Sequence, residues 1–326
     1  AERVHLTRIH FQLIRQVFEV VTKVTPWKRD TIMGRYAPVA LILLPFMWSL
    51  HIIVGFALMY WALGTRGFDA ALVLSGSSLT TLGFRSSEDM ATLLLAILEA
   101  GLGLIVAALM ISYLPTLYGA FMQREHMVAH LEIRAGRPPL PGVMIPRLYV
   151  IGRLTEDDDL WPNWEDWFIN IEETHSTHPS LVFFQSAYED RSWLTTAGAA
   201  LDAASLVLSS VDLPMQSSAA IMVRSGFLSL NQIATNFGYD INPNPQPDDP
   251  ISVTRAEYDV LMDGLEAAGI PVKADRDQAW KDFAGWRVNY DQALCALCEL
   301  VGAPAPQWGE EALPPDPALA IRNLER

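Results

Sequence analysis

Two long runs without charge constrain this chain more than any other feature. Ala37 to Leu63 holds 27 residues with no Asp, Glu, Lys or Arg. Ala91 to Leu114 holds 24, interrupted only by Glu99. About 20 apolar residues cross the hydrocarbon layer as a helix, so each run suffices even when tilted. Soluble cores seldom contain two such runs, and the pattern predicts two membrane spans. The composition agrees, with 51% hydrophobic residues and a mean hydropathy of +0.19.

Basic residues near the run ends predict orientation. Lys23, Lys28, Arg29 and Arg35 precede the first run, and Arg124, Arg134 and Arg137 follow the second. Only Arg66 and Arg85 lie between them. The positive-inside rule places both termini in the cytoplasm, Gly64–Met90 outside, and the protein in the inner (plasma) membrane. Tyr60 and Trp61 at the outer end of the first run, and Trp27 and Tyr36 before its inner end, read as interfacial aromatics. Residues 1–137 carry 12 Lys/Arg and 9 Asp/Glu, a net of +3, whereas residues 138–326 carry 11 and 28, a net of −17. The asymmetry predicts two parts with different surroundings, and the acidic part excludes a nucleic-acid partner.

The connection between the runs is unlike an ordinary loop. Phe68 to Leu79 ("FDAALVLSGSSL") is apolar and one short helix long, after which the chain turns polar. A segment too short to span, set between two spans, reads as re-entrant. Non-helical backbone at membrane depth is tolerated where it is buried in protein or lines water. Span, re-entrant helix, extended run and span is the architecture of a pore subunit.

At Ser78–Leu79–Thr80–Thr81–Leu82–Gly83–Phe84–Arg85 the chain resembles the two-span potassium-channel pore family, whose filter commonly runs Thr-x-Thr-Thr-Val-Gly-Tyr-Gly. Thr80, Thr81 and Gly83 match outright, Ser78, Leu82 and Phe84 are conservative, and Arg85 departs. The resemblance implies a selectivity filter of Thr80, Thr81, Leu82, Gly83 and Phe84. Its backbone carbonyls replace the water shell of a potassium ion, and the Phe84 ring packs away from the pore. One loop per chain implies a homotetramer, with monovalent cations and membrane lipid as partners and no cofactor beyond potassium ions in the filter. "ISYLPTLYGAFMQRE" and "RAGRPP" (Arg134 to Pro139) extend the similarity to a bacterial group of two-span channels. That group carries a helical cytoplasmic domain and often a further hydrophobic helix before the first span. Position 1 is Ala and residues 3–24 already read as helix, so a longer chain is expected.

Arg85 has two readings. In the family's last glycine position, four guanidinium groups would ring the outer mouth, repelling cations and weakening selectivity or favouring anions. Turned outward, toward water, Glu88 or Asp89, the charge is screened, and this reading is preferred. Ser86 stands where the family has aspartate, which adds to the question of potassium over sodium.

The second run supplies three further expectations. Glu99 is costly in hydrocarbon, so it is read as a support for the filter, hydrogen-bonded near Ser77 or Ser78. Gly101 and Gly103 serve either as a gating hinge, with Gly103 preferred, or as small residues for close helix packing. Pro115 kinks the helix as it leaves the membrane.

Residues 3–24 place Leu6, Ile9, Leu13, Val17, Val20 or Val21, and Val24 at helical spacing, an amphipathic helix that reads equally as lying on the inner membrane surface or as the tail of a longer helix. From Leu140 the pattern is helical, over Asn163–Glu173, Pro179–Glu189, Ser192–Ser210, Ser217–Phe237, Arg255–Ala268 and Asp275–Val301. Thr254 with Glu257 predicts a capping box, and Gly269 with Pro271 a helix end. Asn242 to Pro250 is a stiff exposed connection.

The chain is therefore read as an all-α membrane protein with four parts. Residues 1–36 form an amphipathic helix and linker. Residues 37–116 form a two-span pore module, with spans 37–63 and 91–114 and a re-entrant pore helix and filter loop at 68–86. Residues 117–139 are an inner-helix extension and linker, and 140–326 an acidic α-helical cytoplasmic bundle. No strand pattern, phosphate loop, voltage sensor or placed nucleophile–base pair appears, so enzymatic activity and a doubly wound nucleotide-binding domain are not expected. A regulatory ligand on the C-terminal domain stays open, as does a non-conducting scaffold or sensor working through that domain. His175 and His178 with Cys295 and Cys298 have spacings that suit zinc, but nothing in the sequence brings the two pairs together, the cysteines are also simply i,i+3 in an apolar helix, and no metal is expected. Glu156 to Trp167 reads as a solvated acidic face rather than a cation site.

Overall fold

A computed structural model describes residues 5–25, 36–85, 89–154, 159–186, 188, 191–304, 307–309 and 313. Its described elements are helical, apart from one isolated antiparallel bridge between Val211 and Val272. The helices are α1 (His5–Val24), α2 (Tyr36–Ala62), α3 (Phe68–Leu79), α4 (Met90–Ala135), α5 (Pro141–Val150), α6 (Leu160–Thr177), α7 (Trp193–Ser209), α8 (Ser217–Asn236), α9 (Arg255–Ala267) and α10 (Arg276–Val301). The chain divides into two compact units, 1–119 and 120–326. The division falls inside α4, so the end of that helix is counted with the second unit.

In the first unit, α2 and α4 are both long and apolar enough to cross a membrane. Only 17% and 6% of their most apolar windows are buried. A soluble core helix would be mostly covered, so these exposed apolar surfaces fit lipid or another apolar partner. A small core of Phe56, Ala57, Tyr60, Ala71 and Leu74, flanked by Leu95, Ala96 and Leu102, joins α2, α3 and α4. Pro115 lies within the helical span of α4, which continues for five further turns and more to Ala135. α1 meets α2 through His10, whose Nε2 lies 2.8 Å from the Ala40 carbonyl, and through the Phe18–Tyr36 ring pair at 5.9 Å. Its Leu13, Val17, Val20 and Val24 remain exposed along one face, the amphipathic stripe that the spacing predicts.

The second unit is a helical bundle built round α7. Ser192 caps α7 by accepting from the Leu194 N–H, and nearly every α7 side chain is buried. The capping box of Thr254 and Glu257 opens α9, and Gly269 (φ 80°) follows its end. Of the predicted helix Pro179–Glu189, residues 187 and 189 lie outside the described residues, and the described part is not an α-helix. Only a 3₁₀ turn, Pro179–Phe183, is present, and Phe184 is extended. The reason lies in Arg124 of α4. Its guanidinium takes the carbonyls of Leu181 and Phe184, acceptors that a continuing helix would need. A helix not anticipated from the sequence, α5, starts where Pro141 occupies the first turn and its missing N–H is no loss.

Candidate functional site

The segment expected to form a filter begins at the end of α3. Four turn bonds define its start. The Thr80 N–H donates to the Gly76 carbonyl at 3.1 Å, and that of Thr81 to Ser78 at 3.0 Å. Those of Leu82 and Gly83 both return to Ser77, at 3.0 and 3.4 Å. Together they make a Schellman turn, whose C′ position must be left-handed and is usually glycine. Thr81 occupies it with φ 57°, the one described non-glycine residue at positive φ. A left-handed β-branched residue costs on the order of 1–2 kcal/mol. Thr80 and Thr81 therefore belong to a tight turn, and Gly83 two residues on is again left-handed at φ 66°, so the extended run predicted from Thr80 onward is not what these residues form.

Ser77 anchors the residues after the turn. Besides its doubly used carbonyl, its Oγ accepts from the Arg85 N–H at 3.4 Å. The Thr80 hydroxyl is turned back to the Gly76 carbonyl and the Ser78 hydroxyl to Leu74. Thr80, Thr81, Leu82, Gly83, Phe84 and Arg85 are all exposed. Among the described residues, no N–H or hydroxyl donates to the carbonyls of Thr81, Leu82, Gly83 or Phe84. Four successive acceptors beside a pinned turn thus have no donor among the described residues. Phe84, expected to be packed, is exposed within the single chain. Of the expected partners of Arg85, Glu88 lies outside the described residues. Asp89 instead accepts from the Thr92 N–H and hydroxyl, both at 3.0 Å, at the start of α4.

Glu99 is fully buried, and its partners differ from those expected. It accepts from the Tyr60 hydroxyl at 2.8 Å and from the Ser75 hydroxyl, not from Ser77 or Ser78. Ser75, one turn before Ser78 on the same face of α3, is the serine that reaches the carboxylate, whereas the Ser78 hydroxyl bonds the Leu74 carbonyl of its own helix. Ser75 also lies 3.0 Å from the Ile53 carbonyl, so one network fastens α2, α3 and α4. Tyr60 is therefore no interfacial aromatic. It is wholly buried, while Trp61 beside it is exposed and stacks edge-on with Phe68 at 5.9 Å. Nothing in local spacing reveals Tyr60 as a partner of Glu99, because the two are 39 residues apart.

Gly103 meets the other end of α3. A methyl group there would overlap the backbone carbonyl of Leu79, whereas Gly101 has open space around it. Of the two expectations for this pair, close packing is what the geometry of Gly103 displays.

The other sequence candidates stand apart from this turn. His175 is buried in the second unit with its Nε2 3.2 Å from Arg124 Nη1, and its ring lies 5.1 Å from that of Trp193. Burial, reinforced by the Arg124 charge, holds its pKa well below the usual histidine value. Burial also pushes the Cys298 thiol up to about 12, so it is a protonated core side chain rather than a thiolate ligand. Among the described residues, no three His, Cys, Asp or Glu side chains gather as a metal site. Of the Glu156–Trp167 segment, Glu156 to Asp158 lie outside the described residues, and Trp161, Trp164 and Trp167 are core.

These features define a class: an all-helical protein with two helices able to cross a membrane and a short apolar helix between them. Comparison with known proteins finds no matching family model, no matching curated protein and no matching solved structure.

Proposed function

We propose that the chain is one subunit of a homotetrameric channel that passes monovalent cations, potassium foremost, through a filter formed by Thr80–Phe84. The observation that carries this reading is the turn after α3. Four consecutive carbonyls, Thr81 to Phe84, have no donor among the described residues and sit on backbone pinned to Ser77. Ion coordination by carbonyls requires such uncommitted oxygens. The strain at Thr81 fits a site where backbone geometry matters more than local stability. In the tetramer α3 is the pore helix, the Phe84 ring packs against a neighbouring copy, and the exposed stripe of α1 lies on lipid.

The remaining residues take supporting roles. Glu99, Tyr60 and Ser75 hold α3 at a fixed depth between the spans, and Gly103 lets α4 approach the helix end that launches the filter. Gly101, with open space around it, is the better-placed hinge. The acidic 138–326 part, with its net −17, raises the local cation concentration at an inner mouth.

Ion uptake into liposomes holding the purified full chain tests the proposal. Potassium uptake should follow its gradient and scale with protein content. Absence of uptake for any ion would overturn the channel reading and favour a scaffold acting through the helical unit. Chloride uptake without cation uptake would favour the second reading, in which the exposed Arg85 sets anion preference.

A further inference from the structure

One face of α4 carries two histidines that none of these roles employs. In the second unit, α4 buries Arg124, Val128, Leu131 and Ala135 against the bundle. The opposite stripe presents Met122, His126, His130 and Ile133, all exposed. His126 and His130 stand four residues apart, with ring centroids 4.8 Å apart and planes inclined at 38°. At that spacing two imidazoles share one helix face and can each direct a nitrogen at one metal ion.

The local chemistry favours the ligating form. The Arg134 guanidinium stands 3.4 Å from the His130 ring, where its charge opposes a second positive charge on the imidazole. Only a neutral imidazole offers a lone pair to a metal. Arg134 makes its shorter bond, 2.9 Å, to the His130 carbonyl. Its 3.4 Å approach to His130 Nδ1 is long enough to yield when the ring takes a metal.

Two nitrogens are half of a tetrahedral set, and among the described residues no third His, Cys, Asp or Glu joins them within one chain. We propose that His126 and His130 bind a divalent ion of the zinc class, with the same pair of a second copy supplying the other two nitrogens. Four imidazoles suit Zn²⁺, Co²⁺ or Ni²⁺ and not Mg²⁺ or Ca²⁺, which require oxygen ligands. Met122 and Ile133, 47% and 75% exposed, flank the pair and give the two copies apolar surface to bury around the ion. The second copy comes from the homo-oligomer of the channel reading, and since a four-fold ring sets no two neighbours face to face, the pairing makes its helical units two two-fold dimers. The ion would clamp α4 of one chain to α4 of another beyond the apolar run.

The test uses the tag-free full chain in detergent, with Co²⁺ as a spectroscopic probe and Zn²⁺ binding by equilibrium dialysis. The expected result is the absorption of tetrahedral Co²⁺ at one ion per two chains, displaced by Zn²⁺. It should be lost in His126→Ala and in His130→Ala, with helicity and oligomer size unchanged, and kept in His178→Ala. No binding by the native chain, or binding that survives the double variant, would overturn the site. One tetrahedral ion per single chain would overturn the two-copy arrangement. Since bound metal is read rather than ion flux, a chain that carries no current still reveals whether the histidines hold an ion.

Discussion

The two units bury carboxylates in opposite ways. In the first, Glu99 is surrounded by hydroxyls, those of Tyr60 and Ser75. In the second, Asp202 forms an ion pair with Arg287, which also bonds Asp291 at 2.7 Å, and Asp202 accepts from the Tyr290 hydroxyl at 2.8 Å. Burial works against the Arg287 charge, yet the field of Asp202, Tyr290 and Asp291 outweighs it and holds the pKa well above the arginine norm. The two arrangements serve different ends. In the bundle, one guanidinium bridges two carboxylates and fixes how α7 and α10 pack. In the apolar unit, hydroxyl donors orient a lone carboxylate that holds three helices in place behind the candidate filter.

The contrast can be broken first at its strong end. Arg287→Met leaves Asp202 and Asp291 without their cation and should destabilise the helical unit by about 3–5 kcal/mol, measured by denaturant unfolding. A loss below about 1 kcal/mol would mean that the carboxylates do not depend on the pair. At the weaker end, Glu99→Leu strands the Tyr60 and Ser75 hydroxyls in an apolar setting and should cost roughly 1–3 kcal/mol. Glu99→Gln, which keeps an acceptor, should cost less. Equal losses for the two, read from thermal melting in detergent, would show that charge rather than hydrogen bonding holds Glu99.

The smallest expected effect concerns pH. His175 has a folded pKa depressed by burial and by Arg124, whereas the unfolded chain takes up its proton near 6.5. The unfolded state binds more protons below that value, so stability is complete above about pH 6.5 and declines as pH falls. His175→Gln should flatten that decline in the melting temperature without changing the plateau slope at higher pH. An unaltered acid limb would assign it to other groups.

What the sequence reveals depends on physical range. Composition and run length mark α2 and α4, and capping chemistry marks α9, because those signals lie within one element. The bundle helices α6, α7, α8 and α10 are legible for the same reason, to within a few residues, whereas α5 is not. Partners across elements are not. Tyr60 looks interfacial until α2 meets α4, and Arg124 looks like an inner-side positive charge until it inserts among the carbonyls of 181 and 184 and unmakes a predicted helix. Thr80 to Arg85 is recognisable as a motif, but the left-handed Thr81 is not, since Schellman turns usually use glycine there. The His126–His130 pair escapes notice among scattered histidines until α4 is seen to run on to Ala135 with that face uncovered.

Whether the turn from Thr80 to Arg85 conducts cations can be read from reversal potentials across a planar bilayer. The measurement compares the native chain with Arg85→Gly in potassium, sodium and chloride gradients. A cation filter at this turn gives a native reversal potential near the potassium equilibrium value, kept or sharpened by Arg85→Gly. A reversal at the chloride value in the native chain, or no current under any gradient, would contradict it.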